Sequence, residues 1–290
     1  MNLLLLINER MPAFSKGQKL IANYIMEHYD KAAFMTASKL GTTVGVSEST
    51  VVRFATELGY DGYPKMQKAM QEMIRDKLTS VQRIEVTKSR FGNEDILSAV
   101  LNQDIDKIRR TIEETSKEDF QQAVKAIANA GTIYIFAVRS SAALASFLGY
   151  YYSLIFENVK VVSNYGETEI YEKLFRISDK DAIIGISFPR YSNAAIKAMR
   201  FARRRGAKVI ALTDSMASPL CEHSDYVLIA KSDMASVVDS LVAPLSMINA
   251  LIVATVIELG GEVEKTFGNL ESIWDEYEVY RNKNNTTDHF

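Results

Sequence analysis

Apolar residues in the first quarter of the chain return every three or four positions, which predicts helices rather than strands. Leu3-Leu4-Leu5-Leu6-Ile7 gives a first helix its apolar face. From Ser15 to His28 the interval is kept by Leu20, Ile21, Tyr24 and Ile25, with Ser15 placed to cap the N-terminus. Thr36 is the expected cap of the next helix, and Asp61-Gly62-Tyr63-Pro64 reads as a turn with Pro64 opening another helix to about Lys77. Residues 79–93 hold no sustained period. Helical spacing resumes at Ile96, Val100, Ile105, Ile108 and Ile112, and again at Phe120, Val124 and Ile127.

After Gly131 the pattern changes. Thr132–Val138 and Ala182–Ser187 are continuous apolar, β-prone runs, as strands covered on both faces require. Val159–Val162, Lys208–Thr213 and Tyr226–Ile229 read as further strands, with helices over Ser141–Phe156, Ile170–Ile177 and about Asn193–Arg205. Alternating strands and helices predict an α/β unit with an open parallel sheet and helices on both faces. Ser236–Ile257 reads as a long apolar-rich helix whose wide apolar face suits an oligomer interface. The expected organisation is an all-α domain at 1–78, a linker at 79–93, an α/β domain at 94–282 and a disordered tail at 283–290.

Within the helical part, Leu40–Gly59 reads LGTTVGVSESTVVRFATELG and carries helix-turn-helix spacing. Gly41 is small where one helix crosses closely over another. Gly45 supplies the positive φ of a tight turn, and Ser47 is placed to cap the second helix through its side-chain oxygen. Val51, Phe54, Ala55 and Leu58 face inward, leaving Glu48, Ser49, Thr50 and Arg53 outside. Such a polar set at a helix start can reach base edges and phosphates in a major groove. An ordinary helical hairpin with a solvated outer face has the same spacing.

Composition narrows the field. The chain has 290 residues, 47% hydrophobic, with a net charge of −2, so bulk charge calls for neither nucleic acid nor membrane. Through Thr79 there are 10 Lys+Arg against 8 Asp+Glu, so any basic patch must be spatial rather than compositional. A single cysteine, Cys221, excludes an intrachain disulfide and fits a reducing compartment. With only His28, His223 and His289 beside it, no metal site is expected, and no cofactor. The opening apolar run is too short for a signal segment, and no later one spans a membrane uninterrupted, which points to the cytoplasm.

Ligand chemistry is expected at the carboxyl ends of the strands. The first strand runs into Arg139-Ser140-Ser141, the third into Ser187-Phe188-Pro189-Arg190-Tyr191-Ser192, and Thr213 ends the fourth. Hydroxyls, guanidinium groups and the amides of following helix N-termini make a pocket for a small anion. Glu167, Glu169 and His223 are the acid/base candidates nearby, and capping or solvation is their default use.

Both halves together resemble the RpiR-type bacterial transcription regulators, an N-terminal helix-turn-helix followed by a sugar isomerase (SIS) domain. The resemblance rests on Val46–Phe54, Leu58–Tyr63, Arg139-Ser140-Ser141, Ser187–Ser192, Ala202–Asp214 and Ser218-Pro219-Leu220. It implies palindromic operator DNA as partner, a homodimer or homotetramer, and a sugar phosphate or related anionic metabolite as effector. Ser47, Ser49, Thr50 and Arg53 would then contact DNA, with Lys39 and Lys65 on phosphates. Two departures stand out. SIS domains usually carry Gly-x-Gly-x-Ser after the first strand, where this chain has Ala137, Arg139 and Ser141. The usual Ser-x-Ser-Gly-x-Ser/Thr loop becomes Ser187-Phe188-Pro189-Arg190-Tyr191-Ser192, so a carboxylate or an acidic sugar fits as well as a phosphate. The competing expectation is a sugar-phosphate isomerase with an accessory helical domain.

Overall fold

The computed structural model describes residues 3–74, 83–84, 95–163, 165–232 and 238–280. Contacts divide the chain into two units, one of residues up to Ile96 together with Val238, and one of the other described residues from Leu97 onward. Of the expected linker at 79–93 only Arg83 and Ile84 are described, and the expected tail at 283–290 lies outside the described residues.

The N-terminal unit packs α1 (Leu3–Arg10), α2 (Lys16–Glu27), α3 (Tyr29–Ala32), α4 (Ala37–Val44), α5 (Glu48–Glu57) and α6 (Tyr63–Ile74). Ser15 caps α2 through a reciprocal pair with Gln18, and Thr36 caps α4 by accepting from the Lys39 amide at 3.1 Å. Gly45 ends α4 at φ +76°. A Cβ on Gly41 would stand 2.8 Å from the Val46 carbonyl oxygen, so only glycine lets α4 and the turn into α5 approach this closely. Ile21, Ile25, Leu40, Val51, Phe54 and Met66 close the core from successive helices.

The second unit begins with α7 (Ile96–Glu114) and α8 (Lys117–Ala128), then alternates β1 (Ile133–Ala137), α9 (Ala142–Ile155), β2 (Val159–Ser163), α10 (Glu167–Leu174), β3 (Ala182–Ile186), α11 (Asn193–Arg204), β4 (Lys208–Thr213) and β5 (Tyr226–Ile229). It ends with α12 (Val242–Leu259) and α13 (Gly261–Glu276). All strand pairs are parallel, in the order β2-β1-β3-β4-β5. Alternation puts Ile135, Ile184 and Ile210 against α8, α9 and α12, and Tyr134, Ile183 and Val209 against α10 and α11. Both faces are therefore buried, which explains the continuous apolar runs.

Two expectations need correction. The long apolar helix starts at Val242 rather than Ser236, because Pro244 is tolerated only in a first turn, where its missing N–H has no intrahelical partner. That helix, α12, is also long and apolar enough to cross a membrane by length and composition, contrary to the sequence reading. Here Ala243, Met247, Ile248 and Leu251 bury its inner face in the core beneath the sheet.

Candidate functional site

The helix-turn-helix exposes the start of α5. Ser47, Glu48, Ser49 and Arg53 are exposed, whereas Thr50 is half-buried, its methyl group facing Gly17 of α2. Ser47 holds the N-cap position, yet its hydroxyl makes no capping bond. It lies 2.9 Å from the Ser49 hydroxyl and 2.8 Å from that of Thr50, so the expected cap is replaced by a three-hydroxyl cluster at the positive end of the helix dipole. Arg53 donates from Nε to the Ser49 carbonyl at 3.3 Å, which lays its guanidinium along the outer face. Lys39 on α4 and Lys65 on α6 are both exposed.

In the second unit, strand order reverses between β1 and β3. The loops leaving these two strands enclose a cavity of about 240 Å³, lined in part by Arg139, Ser140, Ser141, Ser187, Arg190 and Ser192. Backbone geometry marks both arginines: Arg139 has φ +60° and Arg190 φ +61°. A side chain in the left-handed region costs on the order of 1 kcal/mol, and such strain gathers where a ligand is held. Ser141 and Ser192 stand at the N-caps of α9 and α11, and neither side chain caps its helix. Their position addresses the cavity instead. Ser187 closes its own loop by accepting from the Ser192 amide at 3.2 Å.

Two predicted residues lie behind this lining. Thr213 is fully buried and donates to the Ser187 carbonyl at 2.9 Å, supporting the loop from beneath. Tyr191 turns from the cavity and donates from its hydroxyl to Asp214 Oδ1 at 2.7 Å. Sequence reasoning missed Asp239 and Leu241, which complete the wall. They were hidden by starting the long helix too early, and Pro244 was the available signal. Of the acid/base candidates, Glu169 caps α10 by accepting from the Gly166 amide at 2.9 Å. Glu167 opens α10, and His223 sits in a short turn after Leu220; neither Glu169 nor His223 lines the cavity. Among the described residues no group of His, Cys, Asp or Glu is arranged to hold a metal ion.

Residues 1–77 match the helix-turn-helix domain of the rpiR family, and residues 126–254 match the SIS domain. The chain belongs to the RpiR-type transcriptional regulators. This RpiR-type regulator is 25% identical over 215 residues to an HTH-type transcriptional regulator from Clostridium perfringens, covering 74% of this chain and 76% of that one. It resembles the sugar isomerase domain of an RpiR transcription factor from Sphaerobacter thermophilus, with a TM-score of 0.59 and 26% identity over 62% of this chain and 99% of that one. The Vibrio vulnificus NanR protein, solved in complex with ManNAc-6P, shares the fold at a TM-score of 0.58 and 21% identity, over 97% of this chain and 100% of that one.

Proposed function

We propose that this RpiR-type regulator reads an operator half-site with the start of α5 and senses a small anionic metabolite in the cleft between β1 and β3. The observation that carries the reading is the exposure of Ser47, Ser49 and Arg53 on the outer turn of a helix-turn-helix whose inner face is fully buried. Arg53 has the reach for a bidentate contact to a guanine edge, and Lys39 and Lys65 suit phosphates on either side. One such unit reads one half-site, so two copies are required on a palindrome. An apolar groove of about 810 Å³ between α7, α8 and α12, with Ile112 and Ile257 exposed at it, supports pairing through the second unit. Access to the chromosome puts the protein in the cytoplasm.

The effector class follows from the cleft. Arg139 and Arg190 supply two guanidinium groups, Ser140, Ser141 and Ser192 supply hydroxyls, and the amides at the start of α11 add a positive dipole end. A sugar phosphate satisfies this set, and so does a carboxylate sugar of similar size. Asp239 in the same wall suits a ligand hydroxyl. Turnover is not part of the proposal: among the described residues lining the cleft the one carboxylate is Asp239, which shares it with two arginines.

Retardation of the gene's own upstream DNA in a gel is the direct test, and Arg53→Ala is expected to weaken it by about tenfold or more, the loss of one good base contact. For the cleft, inorganic phosphate, ManNAc-6P and a hexuronate are compared by thermal shift, since a ligand that binds only the folded state raises the melting temperature. Arg190→Ala is expected to abolish the shift. Binding to random DNA with equal strength, or a shift indifferent to Arg190→Ala, overturns the corresponding half of the proposal.

A further inference from the structure

Asp239 and Leu241 line the anion cleft, while the side chain of Ser240 between them is engaged outside it. The Ser240 hydroxyl donates to Asp104 Oδ1 at 2.7 Å, across 136 positions of sequence. The same carboxylate oxygen accepts from Lys107 Nζ at 3.0 Å, and both side chains of this ion pair are largely buried. The Ser240 carbonyl is held in turn by the Ser232 hydroxyl at 2.9 Å. Asp104 and Lys107 belong to α7, the helix through which the chain enters the second unit.

The opposite wall of the cleft reaches α7 as well. Tyr191, next to Arg190, donates to Asp214, whose backbone carbonyl accepts from Lys231 Nζ at 3.2 Å. Lys231 is buried, pairs with Glu114 at the end of α7, and donates from its backbone amide to Thr111 Oγ1 at 2.9 Å. Thr115, just past the helix, donates to the Ile229 carbonyl at 2.7 Å. Each wall of the cleft is thus fastened to a different turn of one helix.

We propose that Ser240 and Asp104 are positioning residues that transmit occupancy of the anion cleft to α7, and so to the segment that carries the reading head. An anion seated between Arg139 and Arg190 competes with the Asp239 carboxylate for the two guanidinium charges in the same cavity. The 239–241 strip then either yields or is bridged by a ligand hydroxyl. Both responses act on Ser240 and its bond to Asp104. A part-buried hydrogen bond of this kind has discrete made and broken arrangements, which is what a two-state element needs. Proximity alone does not establish coupling, so the test measures coupling itself.

The inference rests on the proposed anion cleft, and the experiment separates the two. Hydrogen exchange of the 96–114 peptide is followed in the full chain with and without inorganic phosphate, and again with ManNAc-6P, for wild type, Ser240→Ala, Ser240→Thr and Arg190→Ala. In wild type, whichever anion produces a thermal shift is expected to change exchange in this peptide by about fivefold or more, the lower end of ordinary allosteric coupling. Ser240→Ala is expected to keep the thermal shift and lose the exchange response, and Ser240→Thr, which keeps the donor, to restore it. A merely structural serine would change basal exchange in Ser240→Ala without removing the response. Retention of the full response in Ser240→Ala overturns the inference while leaving the cleft intact. Absence of any Arg190-dependent thermal shift with either anion overturns the cleft, and the inference with it.

Discussion

Arg139 and Arg190 hold backbone angles that glycine adopts at little cost and arginine does not. Replacing Arg190 by alanine keeps the strain and discards the guanidinium, whereas glycine releases the strain at the expense of a more flexible unfolded chain. Arg190→Gly is therefore expected to be more stable than Arg190→Ala by about 1 kcal/mol, read from paired melting curves, with the anion shift lost in both. Cys221 offers a second check at this scale. Burial and the nearby Asp214 carboxylate push its thiol above the ordinary range, so less thiolate is present at neutral pH. Alkylation by iodoacetamide is expected to be slower in the native chain than in denaturant, and equal rates would contradict the packing around the turn at 221–223. Single residues were legible where one local geometry demanded them, as at Gly41 and Gly45. They were illegible where the partner was distant: nothing near Tyr191 announces that its hydroxyl serves Asp214 instead of the cleft.

Among elements, the sharpest demand is the crossing of α4 and the turn into α5. Gly41→Ala forces a methyl group against the Val46 carbonyl oxygen, a contact between two backbones that cannot swing aside. The expected cost is about 1–3 kcal/mol, typical of overpacking, and it is measured as a drop in the denaturation midpoint of the full chain with operator affinity falling in parallel. An unchanged midpoint would mean the crossing is looser than described. The helix and strand series was legible because each element either repeats at one face or is buried on two, and both patterns survive in a bare sequence. The start of α12 was misplaced because apolarity alone extends a helix backward without limit, and only Pro244 sets the boundary. Ties such as Ser240 to Asp104 leave no periodic trace, so the wall containing Asp239 was not found.

The whole molecule is slightly acidic, with a net charge of −2, so attraction to DNA must come from a few placed cations. Substituting Lys39 or Lys65 by alanine is expected to weaken binding to every DNA sequence alike and to lower the salt dependence of affinity by about one unit of slope each. Arg53→Ala, by contrast, is expected to reduce discrimination between operator and random DNA. At the same scale, Ile257→Glu puts a charge at the apolar groove between α7, α8 and α12. It is expected to shift gel filtration toward the single chain and to weaken operator binding without altering the anion-dependent thermal shift; an unchanged elution volume would remove this groove from the pairing surface.

The left-handed bends at Arg139 and Arg190 carry one more consequence. Arg139 and Arg190 hold glycine-like main-chain angles at positions where SIS domains usually carry glycine, and present guanidinium groups there. Ligand preference in such a sensor can thus drift by swapping single side chains on an unchanged main-chain trace, so receptors for chemically different anions can descend from one another without refolding.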